Sequence, residues 1–239
     1  MSTTFQRARS AEQREIRRAA ILATGREMLA ELRVNDVSLN ELARRAGLAK
    51  SNVLRYFASR EAILLEIYDE EYGRWLDALE REIARVGDIE GVAEAIARTA
   101  AARPILCELA AAAPGVLEQN LSGDVAIAYK RAATAHAVRL GDLVADRLGA
   151  LPAGARLGLV AAVNLGIGGL WAVTCLSPGM LEAYARHPEL DALRPQFEPS
   201  LREFVATVLT GLRHRTPRMA GSLDDYEGVL ARLVAEDPR

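Results

Sequence analysis

The sequence predicts an all-α protein, in which an N-terminal three-helix unit of the helix-turn-helix type precedes a C-terminal helical bundle. Alanine, leucine, glutamate and arginine dominate the 239 residues, and these four residue types have high helix propensity. Apolar residues recur every three or four positions along most of the chain, which is the period of an amphipathic helix. We expect two domains, residues 1–60 and residues 61–239, because the charge balance changes between these two parts.

A first helix is predicted over residues 11–32, because Ser10 and Gln13 have the spacing of a capping box. Its apolar face consists of residues spaced four, three and four positions apart: Ile21, Gly25, Met28 and Leu32. The opposite face carries basic side chains: Arg14, Arg18 and Arg26.

Two short helices joined by a glycine turn follow. Ser38 and Glu41 form a second capping box, which begins a helix over residues 39–46. Gly47 follows at the position where a left-handed conformation costs glycine least. The next helix begins at about Lys50, and two short helices with such a turn are typical of a DNA-reading helix-turn-helix.

Charge and polar side chains support DNA binding at this end of the chain. Residues 1–60 contain 12 Lys/Arg and 6 Asp/Glu, whereas the remaining residues have a net charge of -8. A basic end on an acidic chain is the pattern expected when only one end meets phosphate. The major groove accepts an α-helix, and Arg, Lys and Asn match the hydrogen-bonding patterns of base edges.

The stretch over residues 37–68, VSLNELARRAGLAKSNVLRYFASREAILLEIY, resembles the helix-turn-helix of the tetracycline-repressor (TetR) family. The matching features are Ala46-Gly47, the start at Lys50, Tyr56-Phe57, and the run from Ser59 to Ala62 that enters a fourth helix. Residues 16–31 resemble the family's first helix, so the motif covers about residues 15–68. Beyond it the likeness rests on length and helical composition.

This resemblance implies a homodimer whose two helix-turn-helix units enter successive major grooves of double-stranded DNA. The positions that match the family's base contacts are Asn40, Lys50, Ser51, Asn52 and Arg55. Those that match its phosphate contacts are Ser38, Tyr56 and Arg60. Two positions depart from the common pattern: Leu54 stands where tyrosine is frequent, and Asn52 replaces threonine. The operator sequence therefore cannot be copied from a relative.

The C-terminal part reads as a helical bundle. A long helix is predicted over residues 61–85, and helical segments between residues 87 and 150 are separated near Pro104, Pro114 and Gly123. Residues 157–176 contain no charge, so they suit either a membrane span or a helix buried on all sides in a bundle and dimer interface. Four glycines and Asn164 favour the bundle helix and no membrane partner. With residues 197–213 it matches the family's dimer interface.

A ligand pocket is expected among the long helix, the middle helices and residues 157–176. Its candidate lining residues are Trp75, Leu79, Leu106, Cys107, Leu109, Tyr129, His136, Trp171 and Cys175. A mostly apolar lining indicates a hydrophobic or aromatic small-molecule effector. The predicted function is a ligand-responsive transcriptional regulator, a repressor released from a palindromic operator, with activation left open.

Two other function classes remain as alternatives. The first is a ligand-independent helical DNA-binding dimer, which a body without a pocket would favour. The second, an enzyme, is disfavoured, because the three histidines lack metal-ligand spacing and no phosphate loop or nucleophile motif is present. We therefore expect no cofactor and no metal. Because the first ten residues lack an apolar run and the two cysteines lack redox spacing, we expect a cytoplasmic protein.

Overall fold

The computed structural model describes residues 2–119, 121–151 and 154–214, with the backbone alone at residues 2–11 and 188. This part of the chain is helical and contains no strand. Its α-helices are α1 (Ser2–Glu31), α2 (Leu39–Arg45), α3 (Lys50–Val53), α4 (Arg60–Ile83), α5 (Ile89–Ala101), α6 (Pro104–Ala112), α7 (Gly123–Leu148), α8 (Ala155–Thr174), α9 (Pro178–Arg186), α10 (Pro188–Asp191) and α11 (Phe197–His214). A 3-10 turn, Val34–Asp36, precedes α2, and a π-helical segment, Ala113–Leu117, follows α6. The predicted all-α fold is confirmed. Residues 222–236, whose sequence predicts one more amphipathic helix, lie outside the described residues.

Local signals fix the ends of the short N-terminal helices. The Ser38 hydroxyl accepts the backbone N–H of Glu41, and the Ser59 hydroxyl accepts that of Ala62, so both serines cap helices. Gly47 has a φ of +66°, the left-handed conformation that the sequence predicted there. We call residues 2–59, which contain α1 to α3, the head, and residues 60–214 the body.

Two predicted caps are wrong. α1 begins at Ser2, so Ser10 lies inside the helix and does not cap it. The Glu41 side chain does not complete its capping box, because it accepts hydrogen bonds from Arg44 and Arg45 instead. These two arginines lower the pKa of Glu41 to about 2. The charge pairs on the exposed surface of α2 compete with the cap for the same carboxylate.

Head and body share one hydrophobic core. Gly25 lets Ile67 of α4 pack directly on α1, since a Cβ there would lie 2.6 Å from Ile67 Cδ1. α4 begins beside the head and continues through the body, with Ile63, Leu64 and Trp75 fully buried. Because α4 crosses the predicted boundary at residue 60, the division into two domains stays a prediction.

The body packs α4, α6, α8 and α11 into a bundle. α11 lies against α5 and α8, α8 lies against α6, and α7 lies against α4. Gly168 of α8 permits the close contact with α6, because a Cβ there would lie 2.8 Å from the carbonyl oxygen of Ala110. The predicted breaks at Pro104 and Gly123 are confirmed as helix starts.

α8 is a bundle helix, and a single chain does not bury it on all sides, so its predicted burial in a bundle and dimer interface stays a prediction. By length and apolar composition it could cross a membrane, yet it packs between α6 and α11, and 33% of its most apolar window is buried. Its outer face is exposed: Leu165 has 69% of its surface accessible and Val173 has 57%. On α11, Leu201 and Val205 face the core, while Phe204 is 40% exposed. Both helices therefore carry more apolar surface than a single chain buries.

The two halves of α7 differ in burial. The fully buried residues of this helix are Leu140, Gly141, Val144, Ala145 and Leu148. Residues 123–139 include no fully buried side chain, although this half lies beside α4. The N-terminal half of α7 is therefore a partly buried wall, whose side chains such as Val125 and Tyr129 pack against the core from outside.

Candidate functional site

The face formed by α2 and α3 presents most of the predicted DNA-contacting side chains to solvent. The exposed ones are Ser38, Asn40, Lys50, Ser51, Asn52 and Arg55. Val53 and Phe57 point the other way into the core, so the polar side chains of this segment share the outer face. The Ser38 hydroxyl oxygen already accepts the hydrogen bond of a helix cap. Any contact with DNA would therefore use its own O–H or its remaining lone pair.

Tyr56 and Arg60 are half-buried and already have contacts inside the chain. The Arg60 guanidinium donates to the carbonyl oxygen of Val37 at 3.1 Å and to the Glu61 carboxylate at 2.9 Å. The Tyr56 carbonyl oxygen accepts a hydrogen bond from Arg18 at 3.0 Å. Arg60 therefore joins the start of α4 to the segment before α2, in addition to any contact with phosphate.

The arginines of α1 fall into two groups. Arg18 pairs with Glu66 and stacks 4.3 Å from the Phe57 ring centroid, and Arg26 pairs with Glu70 of α4. These two hold α1 on α4 and are not free for a nucleic acid. By contrast, Arg14 and Arg17 are exposed and make no ion pair within the described part of the chain.

Arg14 and Arg17 form a basic groove with Arg55. The groove has a volume of about 310 Å³, and its walls also include Gln13 and Tyr56. It places α1 beside the helix-turn-helix face, so the positive surface extends beyond the motif. Sequence reasoning placed Arg14 on an outer face without a role, since no local pattern pairs α1 with Arg55.

A pocket of about 250 Å³ lies between α4, the end of α6 with its π-helical segment, α7 and α8. We call it the ligand pocket. It lies among the helices that the sequence indicated. Alanines at residues 110, 113 and 133 leave space around a set of polar and aromatic groups: Tyr68, Asp69, Tyr72, Glu118, Tyr129, Lys130, His136 and Asn164.

Three tyrosines bring their hydroxyls to this pocket. The Tyr72 hydroxyl donates to Asn164 Oδ1 at 2.9 Å, and the Tyr129 hydroxyl donates to Glu118 at 3.1 Å. Tyr68 is only 8% exposed, and its hydroxyl has no hydrogen-bond partner among the described residues. Burial raises the pKa of all three phenols, so they remain uncharged donors at neutral pH.

His136 closes one side of the pocket. Its Nε2 lies 2.8 Å from Asp69 Oδ1, and its ring stacks on Tyr72 with the centroids 5.0 Å apart. Lys130 pairs with Glu118 at 2.8 Å on the other side. Each of these side chains thus already has a hydrogen-bonding or ionic partner at the pocket. The lining offers aromatic ring surface and hydrogen-bonding atoms to a ligand.

Only Tyr129 and His136 of the predicted ligand residues line this pocket. Five others are core side chains that do not reach it: Trp75, Leu79, Leu106, Cys107 and Leu109. The Trp75 indole is satisfied inside the core by the Thr99 hydroxyl at 3.0 Å. Trp171 and Cys175 are half-buried near the end of α8, and the Trp171 ring packs edge-on against Phe197. Tyr68 and Tyr72 were missed, although their spacing of four residues on α4 is a usable signal.

A buried carboxylate joins the body to the head. Glu108 of α6 accepts the backbone N–H of Val34 at 3.0 Å and the indole N–H of Trp171 at 3.1 Å. It also pairs with Arg33 at 3.2 Å. Since α6 continues into the wall of the ligand pocket, this junction lies between the pocket and the segment that leads into α2.

Comparison with known proteins assigns both parts of the chain. Residues 21–67 match the family described as bacterial regulatory proteins, tetR family, and residues 69–216 match the tetracyclin repressor-like C-terminal domain. A curated relative, the HTH-type transcriptional regulator EthR of Mycolicibacterium smegmatis, is 40% identical over 53 residues. That match covers 22% of this chain and 24% of the relative.

One solved structure shares the fold at low sequence identity, and another was found to be similar. The fatty acid degradation regulator FadR from Bacillus halodurans is 14% identical with a TM-score of 0.50, over 83% of this chain and 97% of that one. A transcriptional regulator FadR from Bacillus subtilis, solved in complex with stearoyl-CoA, is 16% identical with a TM-score of 0.45, over 82% and 97%. Because the two family matches account for the helix-turn-helix and for most of the body, the chain belongs to the TetR family of transcriptional regulators.

Proposed function

We propose that this protein is a ligand-responsive repressor that binds a palindromic DNA operator as a homodimer and is released from it by a small molecule. The observation that carries the proposal is α4. Its first residue, Arg60, donates to Val37 in the head, and eight to twelve residues later the same helix supplies Tyr68, Asp69 and Tyr72 to the ligand pocket. A ligand that shifts this helix at the pocket also moves its other end.

The exposed face of α2 and α3 supports the DNA-binding half of the proposal. We assign base contacts to Asn40, Lys50, Ser51, Asn52 and Arg55, and phosphate contacts to Ser38, Tyr56 and Arg60. Arg14 and Arg17 add two guanidinium groups beside Arg55, where they extend the phosphate-binding surface. In this arrangement the part of α1 that carries Arg14 and Arg17 lies along the DNA backbone.

The homodimer is proposed to form through α8 and α11. Each helix carries apolar side chains that one chain leaves exposed, such as Leu165 on α8 and Phe204 on α11. Small residues on the same outer face of α8, including Ala161 and Gly169, allow two helices to approach closely. Two helices from each chain would then form a four-helix interface.

The proposed effector is an uncharged molecule with an aromatic or other apolar body and at least one hydrogen-bonding atom. The pocket supports this class because its polar side chains already bond one another and its tyrosines are neutral. The presence of a pocket favours a sensor over a ligand-independent DNA-binding dimer. The protein would act in the cytoplasm, where its operator is.

The decisive experiment is selection of bound fragments from random double-stranded DNA at about 0.15 M salt, where interactions between exposed charges are substantially screened. A dimeric repressor recovers a palindrome whose half-sites lie about one helical turn apart. That fragment then serves as the probe in a screen for compounds that release it. Recovery of no motif by folded protein would contradict the proposed sequence-specific binding.

A further inference from the structure

A second cavity, of about 440 Å³, lies between the head and the N-terminal half of α7. Its walls are mostly apolar: Phe57 and Ala58 from the head, Ala62 and Leu65 from α4, and Ala128 and Ala132 from α7. The four alanines create the space, because their side chains end at Cβ where larger residues would fill the gap. We call this the head cavity.

The head cavity adjoins the ligand pocket. Asp69 and Tyr129 line both, so the two spaces meet at this pair of side chains. Asp69 is held by His136 and Tyr129 by Glu118, each through one hydrogen bond. This half of α7 contributes no fully buried residue, although Tyr129 packs against the core.

The two cavities differ in chemistry. The ligand pocket is lined by Tyr68, which is 8% exposed and whose hydroxyl makes no hydrogen bond within the described part of the chain. Because no buried side-chain oxygen of the described residues lacks a partner, this hydroxyl is reached from open space and is free to bond a polar atom of a ligand. The head cavity offers apolar walls, and the carboxylates at its edge, Glu66 and Glu70, already pair with arginines of α1. Carboxylates there disfavour an anionic ligand end.

We propose that the effector is an elongated, uncharged amphiphile that occupies both cavities. Its polar ring or head group lies in the ligand pocket and bonds the Tyr68 hydroxyl, while its apolar tail passes Tyr129 into the head cavity. The tail then contacts Phe57 and Ala58, only a few residues after α3. This inference rests on the proposed function of the ligand pocket, and it adds a direct contact between effector and head.

The test uses a series of 4-alkylphenols, from 4-ethylphenol to 4-nonylphenol, in titration calorimetry with the full chain. For the unmodified protein, affinity rises about four-fold for each methylene group that enters the head cavity. Ala132→Leu and Ala128→Leu fill the head cavity only, so either change keeps the affinity for 4-ethylphenol and removes the gain with chain length. The neighbouring change Ala133→Leu fills the ligand pocket only and weakens binding of every phenol.

Two results would overturn the inference in different ways. If the gain with chain length persists in folded Ala132→Leu and Ala128→Leu, the tail lies elsewhere, while the ligand pocket stands. If no phenol binds, or if Ala133→Leu binds the series as tightly as the unmodified protein, the ligand pocket fails and the inference fails with it. Circular dichroism and thermal unfolding identify any variant that does not fold, and the other head-cavity variant then decides.

Discussion

Glu108 of α6 accepts the backbone N–H of Val34 at a distance of 3.0 Å, so a buried carboxylate of the body holds the segment between α1 and α2. The second oxygen of the same carboxylate accepts the Trp171 indole N–H of α8. One side chain therefore joins the head, the pocket-forming helix α6 and the outer helix α8. We expect loss of this side chain to lower the free energy of unfolding first and to affect DNA binding only after that.

Replacing Glu108 with alanine should lower the free energy of unfolding by about 2–4 kcal/mol, because two N–H groups lose their acceptor. Glu108→Gln keeps one acceptor oxygen, so we expect a smaller loss. Urea unfolding followed by circular dichroism measures both. Glu94→Ala is the control, since Glu94 is part-exposed and its only ion pair within the described residues, with Arg202, is long at 4.0 Å. If Glu108→Ala is as stable as Glu94→Ala, the claim that Glu108 holds the head to the body is contradicted.

Gly168→Ala should lower the free energy of unfolding by about 1–3 kcal/mol, because the new methyl group meets the α6 backbone at 2.8 Å. The matched control is Gly73→Ala in the middle of α4, where the nearest atom, His136 Cε1, is 3.5 Å from the added Cβ. There the higher helix propensity of alanine should stabilise by up to about 1 kcal/mol. Chemical denaturation compares the pair, and equal stabilisation by both changes would exclude a tight contact between α6 and α8.

The two thiols should differ in reactivity. Burial raises the pKa of Cys107 to about 12, helped by the nearby Cys175, so Cys107 is a protonated thiol at pH 8. The thiolate is the reactive form, and Cys107 is also inaccessible. We expect a thiol-exchange reagent at pH 8 to react with one thiol per chain, and with the second only in denaturant. The variant Cys175→Ser should react slowly, and a fast reaction in that variant would contradict the burial of Cys107.

Ala161→Glu should convert the dimer to a monomer. Ala161 is an exposed small residue on the outer face of α8, where the proposed interface leaves no room to hydrate a charge. Sedimentation velocity measures the oligomeric state. Leu193→Glu provides the control, because Leu193 is 78% exposed in the segment after α10. If Ala161→Glu remains a dimer, the interface does not involve this face.

Removing Arg14 and Arg17 together should weaken binding to operator and random DNA alike. Each guanidinium that contacts phosphate releases about one counterion, and the proposed homodimer carries four of them, so the slope of log affinity against log salt should fall by about 4. Arg81→Ala removes an exposed charge far along α4 and should change neither value.

Arg55→Ala should instead cost about 1–3 kcal/mol on the operator if Arg55 bonds a base bidentately. Its effect should then be larger on the operator than on random DNA. Equal losses would place Arg55, like its groove neighbours Arg14 and Arg17, on the phosphates.

Local chemistry explains how much of the fold could be predicted. Each of the two serine caps and the glycine turn depends only on residues within one helical turn of it, so its role follows from a few neighbouring residues. These features are Ser38, Ser59 and Gly47. Ser10 has the same local pattern, yet α1 continues through it. A serine caps a helix only where the residues before it are not helical, and the residues before Ser10 belong to α1.

The pocket depends on relations that no single helix contains. Trp75 and Tyr72 both lie on the inner side of α4, but only Tyr72 meets a space, which exists because other helices carry alanines opposite it. Periodicity identifies inward residues and does not distinguish a filled interior from a hollow one. For the same reason it could not show that Arg14 and Arg17 lie beside Arg55.

The uneven burial of α7 bears on how this protein can acquire a new specificity. Most damaging substitutions act by exceeding a protein's stability margin, and core positions use that margin fastest. The half of α7 that faces both cavities contributes no fully buried residue, so substitutions there change the shape of the cavities at little cost in folding. Residues 125–138 are thus where natural variation, or a mutant library for a biosensor, can exchange one inducer for another while the DNA-binding end stays unchanged.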